Sequence, residues 1–141
     1  MSSILPGSDL SVADLCKALE GRVALREPAS PELLLRIEQE LNLRLPDFYR
    51  ELYSSFNGFA GYDEKSWICL WPLERVLSEQ VRDEKRGDAA IAIGDFMVVS
   101  DVLMGSLADE NSSVSLLHEG VELAPSAAVF FARFLAGEFD F

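Results

Sequence analysis

The sequence predicts an α+β domain, a mainly antiparallel sheet with helices packed on one face. Three observations carry this. Apolar residues up to Gly58 recur at helical spacing. After residue 88 they come in short runs split by turn residues, and the joins between runs are too short for the crossovers of a parallel sheet. The order is helices, strands with one inserted helix, then a helix, which covers one face of such a sheet. The 141 residues show no internal repeat, low-complexity tract or interdomain linker, so 1–141 reads as a single domain.

The helical half is written in its ends as well as its period. Ser11 to Glu20 has Val12, Leu15, Cys16 and Leu19 on one face, and Gly21 ends it. Val23 to Leu25 is a short extended piece in the connector that follows. Ser30 caps a second helix opened by Pro31 and Glu32, with Leu34, Ile37 and Leu41 turned inward. Leu43 and Leu45 bracket a tight turn. The third helix starts with Pro46 in its first position and Asp47 beside the positive end of its dipole. Phe48, Tyr49, Leu52, Tyr53 and Phe56 make one aromatic-rich face, and Asn57-Gly58 supplies a left-handed stop.

The pattern then changes. Trp67-Ile-Cys-Leu-Trp71 fits a buried strand, which Pro72 stops. A helix from Pro72 to about Arg86 turns Val76, Leu77, Gln80 and Val81 inward. Ala89 to Ile93 reads as a strand, Gly94-Asp95 as a hairpin turn and Phe96 to Ser100 as the return. Val102 to Met104 either continues that strand or forms its own. Ser113 to Leu117 and Val121 to Leu123 form a hairpin around His118-Glu119-Gly120. Ser126 caps a last helix with Val129, Phe130, Phe134 and Leu135, ended by Gly137. Phe139 and Phe141 alternate with acids and are expected to dock from an extended tail. The expected core is Leu34, Ile37, Leu41, Phe48, Leu52, Phe56, Ile68, Leu70, Ile91, Ile93, Val114, Leu116, Phe130 and Phe134.

Charge narrows the function classes. Twenty-four acids against twelve Lys and Arg give a net charge of −12. Nucleic acids and anionic membranes are held by cationic side chains, so neither is the expected partner. Residues 91–141 hold eight acids and one base, Arg133, and a one-signed field of that kind steers a basic protein toward one face. The candidate contact acids are Asp63, Glu64, Asp95, Asp101, Asp109 and Glu110, which fall in expected turns. Trp67 and Trp71 share a strand face. Core filling is the plainer reading of both, and an interface anchor the reading for whichever is exposed.

Catalytic and metal chemistry find little footing. His118, the single histidine, falls in a turn with no nucleophile-elbow serine in the sequence. Cys16 and Cys69 lie among apolar residues without metal-ligand spacing and read as reduced, buried thiols of a cytoplasmic protein. There is no phosphate-binding glycine loop, and no stretch approaches the roughly 20 apolar residues of a membrane span. The N-terminus carries no charged start followed by an apolar run, so no signal peptide is expected. No catalytic residue, cofactor or metal is expected.

The Ser30-Pro31-Glu32 helix, the Glu40-to-Pro46 turn, the Tyr49-to-Gly58 helix and Leu70 to Leu73 ending in Pro-Leu-Glu occur in an order that resembles the SUKH superfamily. That group includes a yeast cell-wall-synthesis regulator, the Syd protein and many bacterial toxin-immunity proteins. Phe59 stands where members often have a second glycine, and Gly94-Asp95 matches a glycine-rich turn only in part. The resemblance implies an α+β domain without enzymatic activity. It implies an immunity protein that binds a cognate toxin, often a nuclease or deaminase; the alternative is an intracellular adaptor or regulator.

Overall fold

The computed structural model describes residues 11–80, 90–96, 101–107 and 112–140. Among these described residues, five helices and five strands follow in the order α1 (Val12–Glu20), α2 (Pro31–Glu40), α3 (Asp47–Ser55), β1 (Ile68–Leu70), α4 (Leu73–Ser78), β2 (Ala90–Phe96), β3 (Asp101–Ser106), β4 (Val114–Leu116), β5 (Glu122–Ala124) and α5 (Ala127–Leu135). The strands make one antiparallel sheet in the order β1-β2-β3-β4-β5. Sequential pairing is what short connections allow. The fold class is the one the sequence predicts.

Local chemistry explains most helix ends. Ser11, Ser30 and Ser126 each accept a hydrogen bond from the amide three residues on, at 3.1 Å, at the starts of α1, α2 and α5. Pro46 stands just outside α3 rather than in its first position, and Asp47 is the first helical residue. Gly137, at φ 83, turns the chain after α5. α3 and α5 join through stacked Phe48 and Phe131, and α1 packs on both. α2 packs on α3 and α4, one layer away from where a direct seat on the sheet was expected.

Register sorts the sheet into two faces. Ile68 pairs with Phe96, Gly94 with Leu103, Leu103 with Leu116 and Gly105 with Val114, so these residues share the first face. α3 lies over it: a Cβ on Gly105 would come within 2.8 Å of the Tyr49 hydroxyl. The second face carries Cys69, Asp95, Val102, Met104 and Ser115, and all of these are buried too. Of the expected core, all are buried except Leu41 and Phe48, which are half-buried.

Gly94-Asp95 is not a turn. Both residues lie inside β2, beside a bulge at Ile93. Gly94 is there because β1 crosses close by: a Cβ would meet the Cys69 carbonyl oxygen at 2.4 Å. Val102 to Met104 lie in β3, which pairs antiparallel with β2. Residues 97–100 lie outside the described residues, as do 81–86 of the expected fourth helix. Phe139 docks as expected, stacked on Phe130 at 5.4 Å, but from a turn rather than an extended tail. Phe141 lies outside the described residues.

Candidate partner-binding site

The signature stretch from Tyr53 to Gly58 is a joint between α3 and the β1–α4 corner. The Tyr53 hydroxyl donates to the Trp71 carbonyl at 2.7 Å. Asn57 Oδ1 accepts from the Leu73 amide and its Nδ2 donates to Glu74 Oε1, both at 2.8 Å. Pro72 offers no capping side chain, so Asn57 caps α4 from sixteen residues away. Gly58 has φ 80, and a Cβ there would meet Pro72 N at 2.6 Å. These residues fix architecture.

Beyond the joint, residues 61–67 form a loop leading into β1. Its base is closed by Asp63 N donating to the Ile68 carbonyl at 2.9 Å and Trp67 N donating to the Asp63 carbonyl at 2.8 Å. The Asp63 carboxylate accepts from the Ser66 amide at 2.9 Å and the Ser66 hydroxyl at 2.7 Å. Arg22, from the end of α1, grips the same carboxylate with two parallel hydrogen bonds. Burial by itself would raise the Asp63 carboxyl; Arg22 and the Ser66 donors outweigh it and hold it at about 2. Arg22 also donates to the Phe134 carbonyl at 2.8 Å and to Asp140 at 2.6 Å, with its guanidinium 4.3 Å from the Phe134 ring centroid. One side chain thus ties the loop to α5 and the tail.

The locked loop carries Trp67 at its end. Trp67 is 41 % exposed and sits at φ 59, a left-handed backbone that a bulky residue resists. That conformation also breaks strand alternation, so Trp67 and Trp71 part company. Trp71 is buried. Its Nε1 donates to Asp95 Oδ2 at 2.6 Å, and Arg75 lies over its ring at 4.7 Å while pairing with Asp95 at 3.2 Å. Tyr62 shares Asp95; burial first, and this hydrogen bond next, push its hydroxyl up to about 12.

The acids expected at the contact surface divide by burial. Asp63, Asp95 and Asp101 are buried, which corrects their placement as surface turn acids. Their charges are met inside. Asp101 accepts from the backbone amides of Val102, His118 and Glu119 and so shapes the β4–β5 turn. Glu64 is exposed in the same loop as Trp67, next to exposed Lys65 and three positions before the tryptophan. Asp109 and Glu110 lie outside the described residues. His118 is an exposed turn residue, and Cys16 is half-buried where full burial was expected. Among the described residues no three His, Cys, Asp or Glu side chains gather as a metal site, and no helix is long and apolar enough to cross a membrane.

Arg22 is the residue sequence reasoning passed over. Its only local signal is a lone base next to the glycine that ends α1, and its partners lie 41, 112 and 118 residues on.

No curated protein matches the chain. The family model described as SMI1 / KNR4 family (SUKH-1) matches residues 28–139. That span runs from the connector before α2 to the docked Phe139 and takes in the Asn57 joint, the Trp67 loop and the whole sheet, so the chain belongs to the SMI1 / KNR4 family of SUKH-1 domains.

Proposed function

We propose that this domain is a non-enzymatic protein-binding module, an immunity protein that neutralises a cognate toxin, with Trp67 as the central anchor of the contact. One observation carries the reading: a tryptophan 41 % exposed, in a left-handed backbone, on a loop whose base is locked by Asp63 and Arg22. Tryptophan is enriched among the few interface residues that dominate affinity. A loop already held in place loses little freedom on binding. Backbone held in a sparsely populated conformation concentrates at binding sites. Glu64 is an exposed acid of the same loop, and Asp109 and Glu110 remain candidate contact acids by their charge. Asp63, Asp95 and Asp101 support the surface from within. The partner is basic: a nuclease-like toxin needs cationic groups to hold phosphates, and a net charge of −12 complements them. Free thiols at Cys16 and Cys69 fit action in a reducing cytoplasm.

The test is co-expression with the product of the neighbouring gene, followed by capture of the wild-type and Trp67→Ala proteins. A basic product retained by wild type, and bound at least about 30-fold more weakly by Trp67→Ala, is the expected result. Equal binding by the variant would remove Trp67 as the anchor. Absence of any basic binder, from that gene or from the native cell, would overturn the immunity reading.

A further inference from the structure

Near the tail the first face of the sheet borders a cavity whose accessible apolar wall is Phe96, Leu123 and Phe139, with Ile68, Leu103 and Leu116 buried behind it. Ile68, Phe96, Leu103, Leu116 and Leu123, one from each strand, line a half-open cavity of about 240 Å³ together with Phe139. Register brings the first four to one face. Two carboxylates, Glu138 and Asp140, complete the lining. Asp140 is bonded to Arg22. Glu138 is exposed and makes no ion pair among the described residues.

Size and charge together select an occupant. Small-molecule sites run about 300–1,000 Å³, so this cavity suits one long side chain of a partner. A wholly apolar side chain would leave the Glu138 carboxylate without a partner, whereas Asp140 already has Arg22. A cation on an apolar stem satisfies both parts of the lining. We infer that the cavity receives an arginine side chain of the basic partner, its stem against Phe96 and Leu123, its guanidinium against Phe139 and bonded to Glu138. The fold already uses this chemistry alongside: Arg22 lays its guanidinium over Phe134 while bonding Asp140. The planar fork fits ring and carboxylate together, which the point charge of lysine does not. The inference deepens the proposed contact with a basic protein and rests on it.

The experiment uses the protein alone, so its result stands apart from whether any toxin is captured. n-Butylguanidinium, n-butylammonium and n-butanol are titrated separately while backbone amide resonances are followed by NMR. Saturable shifts at Phe96, Leu123 and Phe139 are expected with n-butylguanidinium, weaker ones with n-butylammonium, and weakest with n-butanol. Glu138→Gln should weaken the n-butylguanidinium response about fivefold, the upper range for one exposed charge pair. Butanol matching the guanidinium, or no effect of Glu138→Gln, would overturn the assignment in favour of a plain apolar hole. Binding that develops only after Phe141 is deleted would also overturn it, giving the cavity to the chain's own C-terminus.

Discussion

Arg22 and Asp63, 41 residues apart, are joined by two parallel hydrogen bonds, Nε to Oδ1 at 3.0 Å and Nη2 to Oδ2 at 2.8 Å. Side-chain exposure is 14 % for the arginine and 2 % for the aspartate. Removing one partner of so buried a pair leaves a charge without compensation. Arg22→Met, which keeps an apolar stem over Phe134, should cost about 3–5 kcal/mol in urea unfolding. Adding Asp63→Asn should restore part of that loss, because an amide is cheaper to bury and still accepts from Ser66. A loss below about 1 kcal/mol would mean the pair behaves as a surface ion pair.

The same pair sets the acid limb of stability. Asp63 is lowered from its ordinary 3.8 to about 2, so its contribution is complete above pH 4 and disappears as pH falls toward 2. That contribution is about 2 kcal/mol. On the alkaline side Cys69 is raised to about 11, first by burial and then by Asp95, and Tyr62 to about 12. Raised acids stay neutral in the fold, so stability is intact below pH 9 and declines as pH climbs toward 12. Urea midpoints across pH should show this plateau. Asp63→Asn should flatten the acid limb and leave the alkaline limb in place.

Gly58 answers two demands, a φ of 80 and backbone contact with Trp71 and Pro72. Gly58→Ala meets both penalties, and a thermal melt should report a loss of at least about 2 kcal/mol. Gly61, with nothing within 4 Å of an added Cβ, is the control: Gly61→Ala should change stability by no more than about 1 kcal/mol in either direction.

Asn57 separates capping from charge. Asn57→Ala loses the α4 cap and should cost about 1–2 kcal/mol. Asn57→Asp keeps the acceptor for the Leu73 amide but sets a carboxylate against Glu74, now 2.8 Å from Nδ2. Its cost should approach that of Ala at pH 7, and the Glu74→Gln background should relieve it. An Asp variant as stable as wild type without that background would mean the Glu74 contact carries no energy.

What the sequence made legible was local. The serine caps and the helical period of α1 and α2 depend on residues within a turn of one another and are found where expected, whereas α3 ends at Ser55 and leaves Phe56 extended, ahead of the expected Asn57-Gly58 stop. Errors arose where a distant partner decides. Gly94-Asp95 has the composition of a turn, but Gly94 answers to the Cys69 carbonyl across the sheet. Asp63, Asp95 and Asp101 looked like surface charges because isolated acids are seldom buried. Beyond the local donors Ser66 and Val102, they are met by Arg22, by Trp71 with Arg75, and by the amides of His118 and Glu119, none within fifteen positions. Trp67 escaped its assignment because one left-handed residue turns a side chain off the strand face on which alternation had put it.

The proposed contact divides into an anchor and a field, and kinetics separates them. Trp67 acts through packed area, so Trp67→Ala should raise koff and leave kon within about threefold. Acidic charge acts through long-range steering, so Glu64→Lys with Asp109→Lys and Glu110→Lys should lower kon and flatten its dependence on salt. Screening over about 8 Å at physiological ionic strength makes wild-type kon fall as salt is added. Surface-immobilised basic partner, with wild type and both variants passed over it at two salt concentrations, gives all four quantities. An on-rate indifferent to salt and to the triple reversal would remove the electrostatic half of the proposal and leave Trp67 to be judged alone. A koff unchanged by Trp67→Ala would remove the other half.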